Sequence, residues 1–469
     1  SLAVSLCALT LTACGGTGSR PAPLDLTILH INDHHSRLDA ETTTLTLKDA
    51  AGASKAVTVE LGGFARVTAA IEALAAGQKN VLKLHAGDAV TGDLYFTQSE
   101  GKADADMMNT VCFDAFTLGN HEFDSADAGL VKFIDFLHAG TCRTPVLSAN
   151  VKPAAGTALA GRVAAYSIVE KDGQQIGIVG LTVKDKTRFA SRPDASTEFL
   201  DEATGAQAAI DALRGKGVNK IVLMSHLGYA ADKAIAPRLS GVDVIVGGDS
   251  HTLLGPDSMT GFGLTPSGAY PTAATDKDGK PVCIAQAWQY SYAVGALQVN
   301  FDGAGNITRC SGNPQVLLGD TYKLGATTAS DADAAAFRSQ LNASGVFRIT
   351  TPSAAAAAVL APYKAAKDAL GLQIAGVTND NLCLRRVPAT APARGWATSA
   401  TSTPPGSPRA ATSGKWWPTL SWSRASALAG PTSACRTPEA CGWISAPATS
   451  PSAKSSNCCP SRTPFTGSC

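Results

Sequence analysis

HAGDAV (residues 85–90) and LGNHEFD (residues 118–124) each close an apolar run, NVLKL at 80–84 and FDAFT at 113–117. An Asp ends one run and an Asn-His pair ends the next. Gly precedes each polar group, as expected where a strand turns sharply. Working outward, LDLTILHIND (24–33) predicts a buried strand ending in Asp33, with His35 two residues on. Further strands are expected at 144–151, 220–228 and 242–251, ending near His226, Asp249 and His251. Helical spacing covers 63–77, 103–111, 125–140 and 202–217. Residues 165–182 read as a hairpin turning at Asp-Gly, and 283–301 as a β-rich stretch. Strands alternating with helices predict an α/β layered domain.

In such a fold, ligands bind beyond the carboxyl ends of the strands. Asp33 and His35, one residue apart in an extended segment, are expected to point the same way. Asp33, His35, Asp88, Asn120, His226, Asp249 and His251 would then share one pocket. Carboxylates, an amide and imidazoles form a donor set for divalent cations of intermediate hardness. A shared Asp can bridge two ions about 3.5–4 Å apart. Each piece alone is weak, because Asp-x-His and Gly-Asp are common in turns. The ordered series is specific. His85 reads as structural, and His30 and His34 as braces of their neighbours.

The chain has 469 residues, a formal charge of +1 and 45% hydrophobic residues. Those numbers hold neither a nucleic-acid stripe nor a membrane patch. Twelve Cys occur without a CxxC pair, which argues against a zinc ribbon. Residues 1–13, SLAVSLCALTLTA, form an apolar run shorter than the roughly 20 residues that span a bilayer. The run resembles a secretory signal, and LTAC-GG resembles a lipobox with a lipid on Cys14. An ordinary cleaved signal is the alternative. No Met or basic segment precedes the run, so a truncated start is expected. A periplasmic or lipid-anchored location follows, where disulfides persist. Cys112 with Cys142, and Cys283 with Cys310, are the expected pairs.

INDHH, HAGDAVTGD, LGNHEFD, LMSHLG and VGGDSHTLLG resemble the calcineurin-like metallophosphoesterases, most closely secreted bacterial 5′-nucleotidases. The likeness covers about 25–325. It implies a layered α/β/β/α sandwich holding two divalent ions, whether Zn, Mn, Mg, Co or Fe. Asp33, His35 and His251 would hold one ion, and Asn120, His226 and Asp249 the other, with Asp88 bridging. Many members carry His where this chain has Asp249, which adds negative charge to the second site. His121, oriented by Asp124, would stabilise phosphoryl charge or protonate the leaving oxygen; a bracing role is the alternative. Hydroxide held on the metals would attack phosphorus in line. The implied substrates are nucleoside 5′-monophosphates. Cyclic nucleotides, nucleotide sugars and the sulfur esters of related thiohydrolases are the enzymatic alternatives, and an inactive surface-anchored metal-binding module is the other. Neither a nucleic-acid polymer nor a protein partner is implied.

The expected order is a signal segment over 1–14, a tether over 15–24, the metallophosphoesterase domain over 25–325, a helical connector over 326–376 and a C-terminal remnant over 377–469. TNDNLCLRR (378–386) resembles the start of the nucleotidase C-terminal domain. Beyond it the composition changes. Residues 388–469 hold one acidic residue, Glu439, yet most of the chain's Trp and five of its Cys. Shifting the reading frame by one base forces Val-Ala across Trp416–Pro418, Asp across Trp443–Ile444 and Leu-Leu across Asn457–Cys459. Permitted letters between them include Asn-Ala-Gly-Gly-Val-Arg and Leu-Leu-Pro-Phe, which resemble that same domain. The tail therefore reads as an out-of-frame remnant, with the slip near 386–396. The family's base-clamping aromatics and phosphate-binding Arg residues would then be missing, leaving Arg385 and Arg386 at the edge.

Overall fold

The computed structural model describes residues 22–374. The expected signal segment, most of the expected tether and the expected frame-shift junction lie outside them. Two sheets pack face to face. In the larger, one half runs parallel: Leu24–Ile31, Val81–His85, Ala115–Thr117 and Val146–Leu147. The smaller centres on the parallel strands Gln174–Thr182, Ile221–His226, Val244–Gly247 and Pro281–Gln286.

The first strand shows why the layers form. Leu24, Leu26 and Ile28 face the second sheet, alongside Leu223, Val244 and Ile284. Leu29 and Ile31 face the opposite way, into a core with Phe64, Phe116 and Phe133 under the helices Phe64–Ala75, Lys102–Asn109 and Ala126–Ala139. Burial on both faces requires the continuous apolar run seen in the sequence. The helices Glu202–Arg214 and Tyr229–Ile235 cover the outer face of the smaller sheet. The order is helix, sheet, sheet, helix, the expected α/β/β/α sandwich.

The hairpin at 165–182 forms, with Asp172 and Gly173 both left-handed (φ 52° and 70°) as a type I′ turn requires. The strand expected at 144–151 is instead two pieces. Val146–Leu147 joins the large sheet, whereas Val151–Pro153 pairs with Thr197–Phe199. A second hairpin, Glu41–Lys48 with Ser54–Leu61, extends the large sheet and was not expected from sequence. Its signal was the alternation in TTTLTLK, which buries Leu45 and Leu47.

Within 326–374, helices Asp331–Ala343 and Ala354–Gly371 are N-capped by Ser330 and Ser353. The strand Phe347–Ile349 between them pairs with Ile307–Leu324 of the large sheet. Disulfides join Cys112 to Cys142 and Cys283 to Cys310, the second stapling one sheet to the other. No described helix is long and apolar enough to cross a membrane.

Candidate metal centre

The loops after five strands meet at one edge of the sandwich. Their backbone departs from the extended form expected at Asp33 and His35. Asp33, His35, Asp88, Asp249 and His251 are all left-handed, with φ between 48° and 71°. Such a conformation costs a non-glycine residue of the order of 1–3 kcal/mol. Cross-loop hydrogen bonds hold it. Asp33 N donates to Gly87 O (2.9 Å), His35 N to Asp88 O (3.1 Å) and Asp249 N to the Asp33 carboxylate (3.0 Å). Asp33 and His35 converge through these turns and not through strand alternation.

The side chains form three overlapping groups whose ligand atoms lie within 4.8 Å of one another: Asp33–His35–His251, His35–Asp88–His121 and Asp33–Asp88–His226. His226 Nε2 stands 3.0 Å from Asp88 Oδ2, 3.8 Å from Asp33 Oδ1 and 3.8 Å from Asp249 Oδ1. His35 Nε2 lies 3.1 Å from His251 Nε2 and 3.7 Å from Asp88 Oδ2. The cluster opens onto a cavity of about 310 Å³ lined by Asp88, His121, Lys186, Asp249 and His251, among others.

Asn120 precedes His121 in the same loop. Its amide is buried and neither Oδ1 nor Nδ2 makes a hydrogen bond. Asp124 stays outside the three groups and holds His121 Nδ1 at 2.6 Å. His34 and His85 also stay outside, bonded to each other (2.8 Å), and His34 bonds Asp104 (3.2 Å). His30 bonds Tyr270 Oη (2.8 Å).

The donor set fits cations. His226 Nδ1 lies 2.7 Å from the Ala86 carbonyl, which can only accept, so that nitrogen carries the hydrogen. In the neutral ring Nε2 then presents its lone pair toward Asp88, without the alignment of a hydrogen bond. His251 is turned in the same way by Gln289 Oε1 at 3.0 Å. Imidazoles fixed through their outer nitrogen are a common feature of metal ligands.

The electrostatics show how strongly the two carboxylates draw a positive partner, a proton on His226 or a cation in its place. Burial pushes Asp88 upward, but His226 and His121 outweigh it and hold its carboxyl well below the usual range. Burial opposes charge on His226, yet Asp88 and Asp33 raise it well above its ordinary value. Burial drives His35 down to about 3. A site that keeps Asp88 ionised while His35 stays neutral has acceptor lone pairs to offer.

Several contributors were not identified from sequence. Glu122, inside the quoted LGNHEFD, accepts from Asp88 N (3.1 Å), Ala89 N (2.8 Å) and Gly119 N (2.6 Å), locking two ligand loops together. Burial, then Asp88, raises its carboxyl to about 7. Asn32 ties the Asp33 carboxylate (2.7 Å) to the 287–288 backbone. Lys186, on the helix Lys184–Ala190, donates to Asp249 Oδ1 at 2.6 Å. Glu122 and Asn32 lie inside the quoted LGNHEFD and INDHH, next to the ligands they serve, whereas Lys186 stands 63 residues from Asp249 and carried no such signal.

Residues 26–253 match the calcineurin-like phosphoesterase family. The chain is 40% identical over 375 residues to a probable 5′-nucleotidase of Treponema pallidum, covering 79% of this chain and 62% of that protein. It is 38% identical over 304 residues to the 5′-nucleotidase of Bos taurus, covering 63% and 50%. Among solved structures, the Haemophilus influenzae NAD nucleotidase superposes with a TM-score of 0.69 at 38% identity, covering 76% of this chain and 62% of that one. The chain thus spans between 50% and 62% of the length of these relatives. Residues 26–253 of this chain thus match the calcineurin-like phosphoesterase family, and the chain is similar to proteins named 5′-nucleotidase or probable 5′-nucleotidase.

Proposed function

We propose that the chain is a metal-dependent phosphomonoesterase of 5′-nucleotidase type. The observation that carries the reading is the set of three overlapping carboxylate–imidazole groups beside a His121 oriented by Asp124. Asp33, His35 and His251 would hold one divalent cation, and Asn120, His226 and Asp249 would hold a second, with Asp88 available to both. Two such cations supply Lewis-acid activation of water and neutralise charge on the phosphoryl oxygens. Asp124 keeps the His121 ring turned so that its other nitrogen faces the cavity. There His121 donates a hydrogen bond to the phosphoryl group or a proton to the leaving oxygen. Asp33 and Asp88 are buried, and His226 outweighs the burial to hold both carboxyls ionised.

The substrates are nucleoside 5′-monophosphates. Nucleotides joined through a diphosphate belong in the same panel, because one relative bears the name NAD 5′-nucleotidase. A periplasmic location, with a lipid on Cys14, is supported by the 1–13 apolar run and by two disulfides of the kind that persist outside the cytoplasm. The tail from about 386–396 is an out-of-frame remnant, tested by resequencing the junction.

Phosphate release from AMP, and cleavage of NAD into its two mononucleotides, with manganese or zinc added, test the enzyme. Chelator and Asp88→Ala should each abolish both. His121→Asn should lower turnover at least about 100-fold while metal stoichiometry stays at two. A drop to one would reassign His121 as a ligand. Metal retention without turnover of any phosphoester would overturn the hydrolase reading.

A further inference from the structure

Asp249 adds a carboxylate to a centre that already holds Asp33 and Asp88. Its Oδ1 faces two ways, 2.6 Å from Lys186 Nζ and 3.8 Å from His226 Nε2. Lys186 supplies the one ammonium or guanidinium among the described residues lining the catalytic cavity. Its helix is anchored independently of the centre. Lys184 N donates to Glu202 Oε1 (2.9 Å), and Thr187 is buried. The ammonium is therefore delivered to Asp249 by the fold, whereas a lysine on a mobile surface loop would be free to swing away.

We propose that Lys186 is a positioning residue that shares the Asp249 carboxylate with the cation held beside His226, weakening that cation's grip and keeping the cavity receptive to a phosphoryl anion. The inference rests on the reading of His226 and Asp249 as a cation site. The physical reason is competition for one oxygen. An ammonium on Oδ1 withdraws electron density that a cation would use, and cancels one negative charge in a cavity that must admit an anion. Removing the ammonium should therefore move two quantities in opposite directions. The cation binds more tightly because Asp249 is no longer shared. The anion binds more weakly because the cavity is one charge more negative. A purely structural lysine would move neither, or would weaken both by loosening the loop.

The test uses the full chain, stripped with chelator, as wild type, Lys186→Met, Lys186→Arg, Asp249→Asn and Lys186→Met/Asp249→Asn. Calorimetric titration with manganese reads the cation. Titration of the manganese-loaded protein with inorganic phosphate reads the anion, and neither needs turnover. Lys186→Met should tighten the weaker manganese site about tenfold and weaken phosphate about tenfold, within the range for residues that orient metal ligands. Lys186→Arg should stay near wild type. In the Asp249→Asn background, Lys186→Met should leave manganese affinity unchanged, because no shared oxygen remains, while phosphate still weakens, because one positive charge is lost in either background. Unchanged manganese affinity in Lys186→Met overturns the proposal. So does unchanged phosphate affinity in the same variant. If no nucleotide is hydrolysed yet these shifts appear, the substrate reading falls and the inference stands.

Discussion

Gly119 separates the two halves of the centre, and adding one methyl group there should disable it. A Cβ at this position would sit 2.1 Å from Asp88 Oδ1, 2.6 Å from Asp88 N and 2.7 Å from His226 Nε2. Ordinary contact begins near 3.4 Å, so the Asp88 carboxylate would have to retreat by about 1.3 Å, the difference between 3.4 and 2.1 Å. It cannot swing aside alone. Asp88 N is tied to Glu122, and Asp88 Oδ1 accepts from His121 N at 2.9 Å. Gly119 does not have a left-handed φ, so the penalty is steric and not conformational. Overpacking of this kind costs about 1–3 kcal/mol. A displacement of about 1 Å at a reacting centre can cost about 100-fold in rate. Gly119→Ala should therefore lower kcat/KM for AMP about 100-fold and weaken manganese about 10–100-fold, read by phosphate release and by chelator competition. Gly261→Ala is the control, since nothing lies within 4 Å of its Cβ. Wild-type affinity and rate in Gly119→Ala would refute the claim that this contact sets the spacing of Asp88 and His226.

Glu122→Gln replaces one acceptor oxygen with an amide that must face a backbone N–H whichever way it turns, since both oxygens already accept. A loss of about 1–3 kcal/mol is expected in denaturant unfolding, and an unshifted midpoint would count against the locking role. Asp243 gives a pH effect. Burial raises its carboxyl to about 7, so the fold favours the protonated form. Its stabilisation is complete below the unfolded pKa near 4 and is lost as pH rises through about 7. Asp243→Asn should therefore gain on wild type by about 2–3 kcal/mol between pH 5 and pH 8, measured by thermal unfolding at both. A constant difference across that range would exclude Asp243 as the titrating group.

Local pattern alone settles the alternation of strands and helices, and puts Asp33, Asp88, Asn120, His226 and Asp249 at or just beyond strand ends. These features are local. Side-chain period, apolar runs and glycine punctuation are written within a few residues of where they act. The Asp-Gly hairpin at 172–173 was legible for the same reason. How the ends meet follows from long-range packing. Leu24–Ile31 lies between Val81–His85 and Ala293–Phe301, a neighbour more than 260 residues away, because both of its apolar faces must be covered at once. The left-handed turns at the ligands depend on hydrogen bonds from other loops, so no property of Asp33 or His35 alone announces them. Lys186 on Asp249 and Gln289 on His251 are likewise pairings across the fold. A residue type and its spacing can tell what a side chain is able to do. Which partner it does it with depends on the packing of two sheets that neither segment encodes alone.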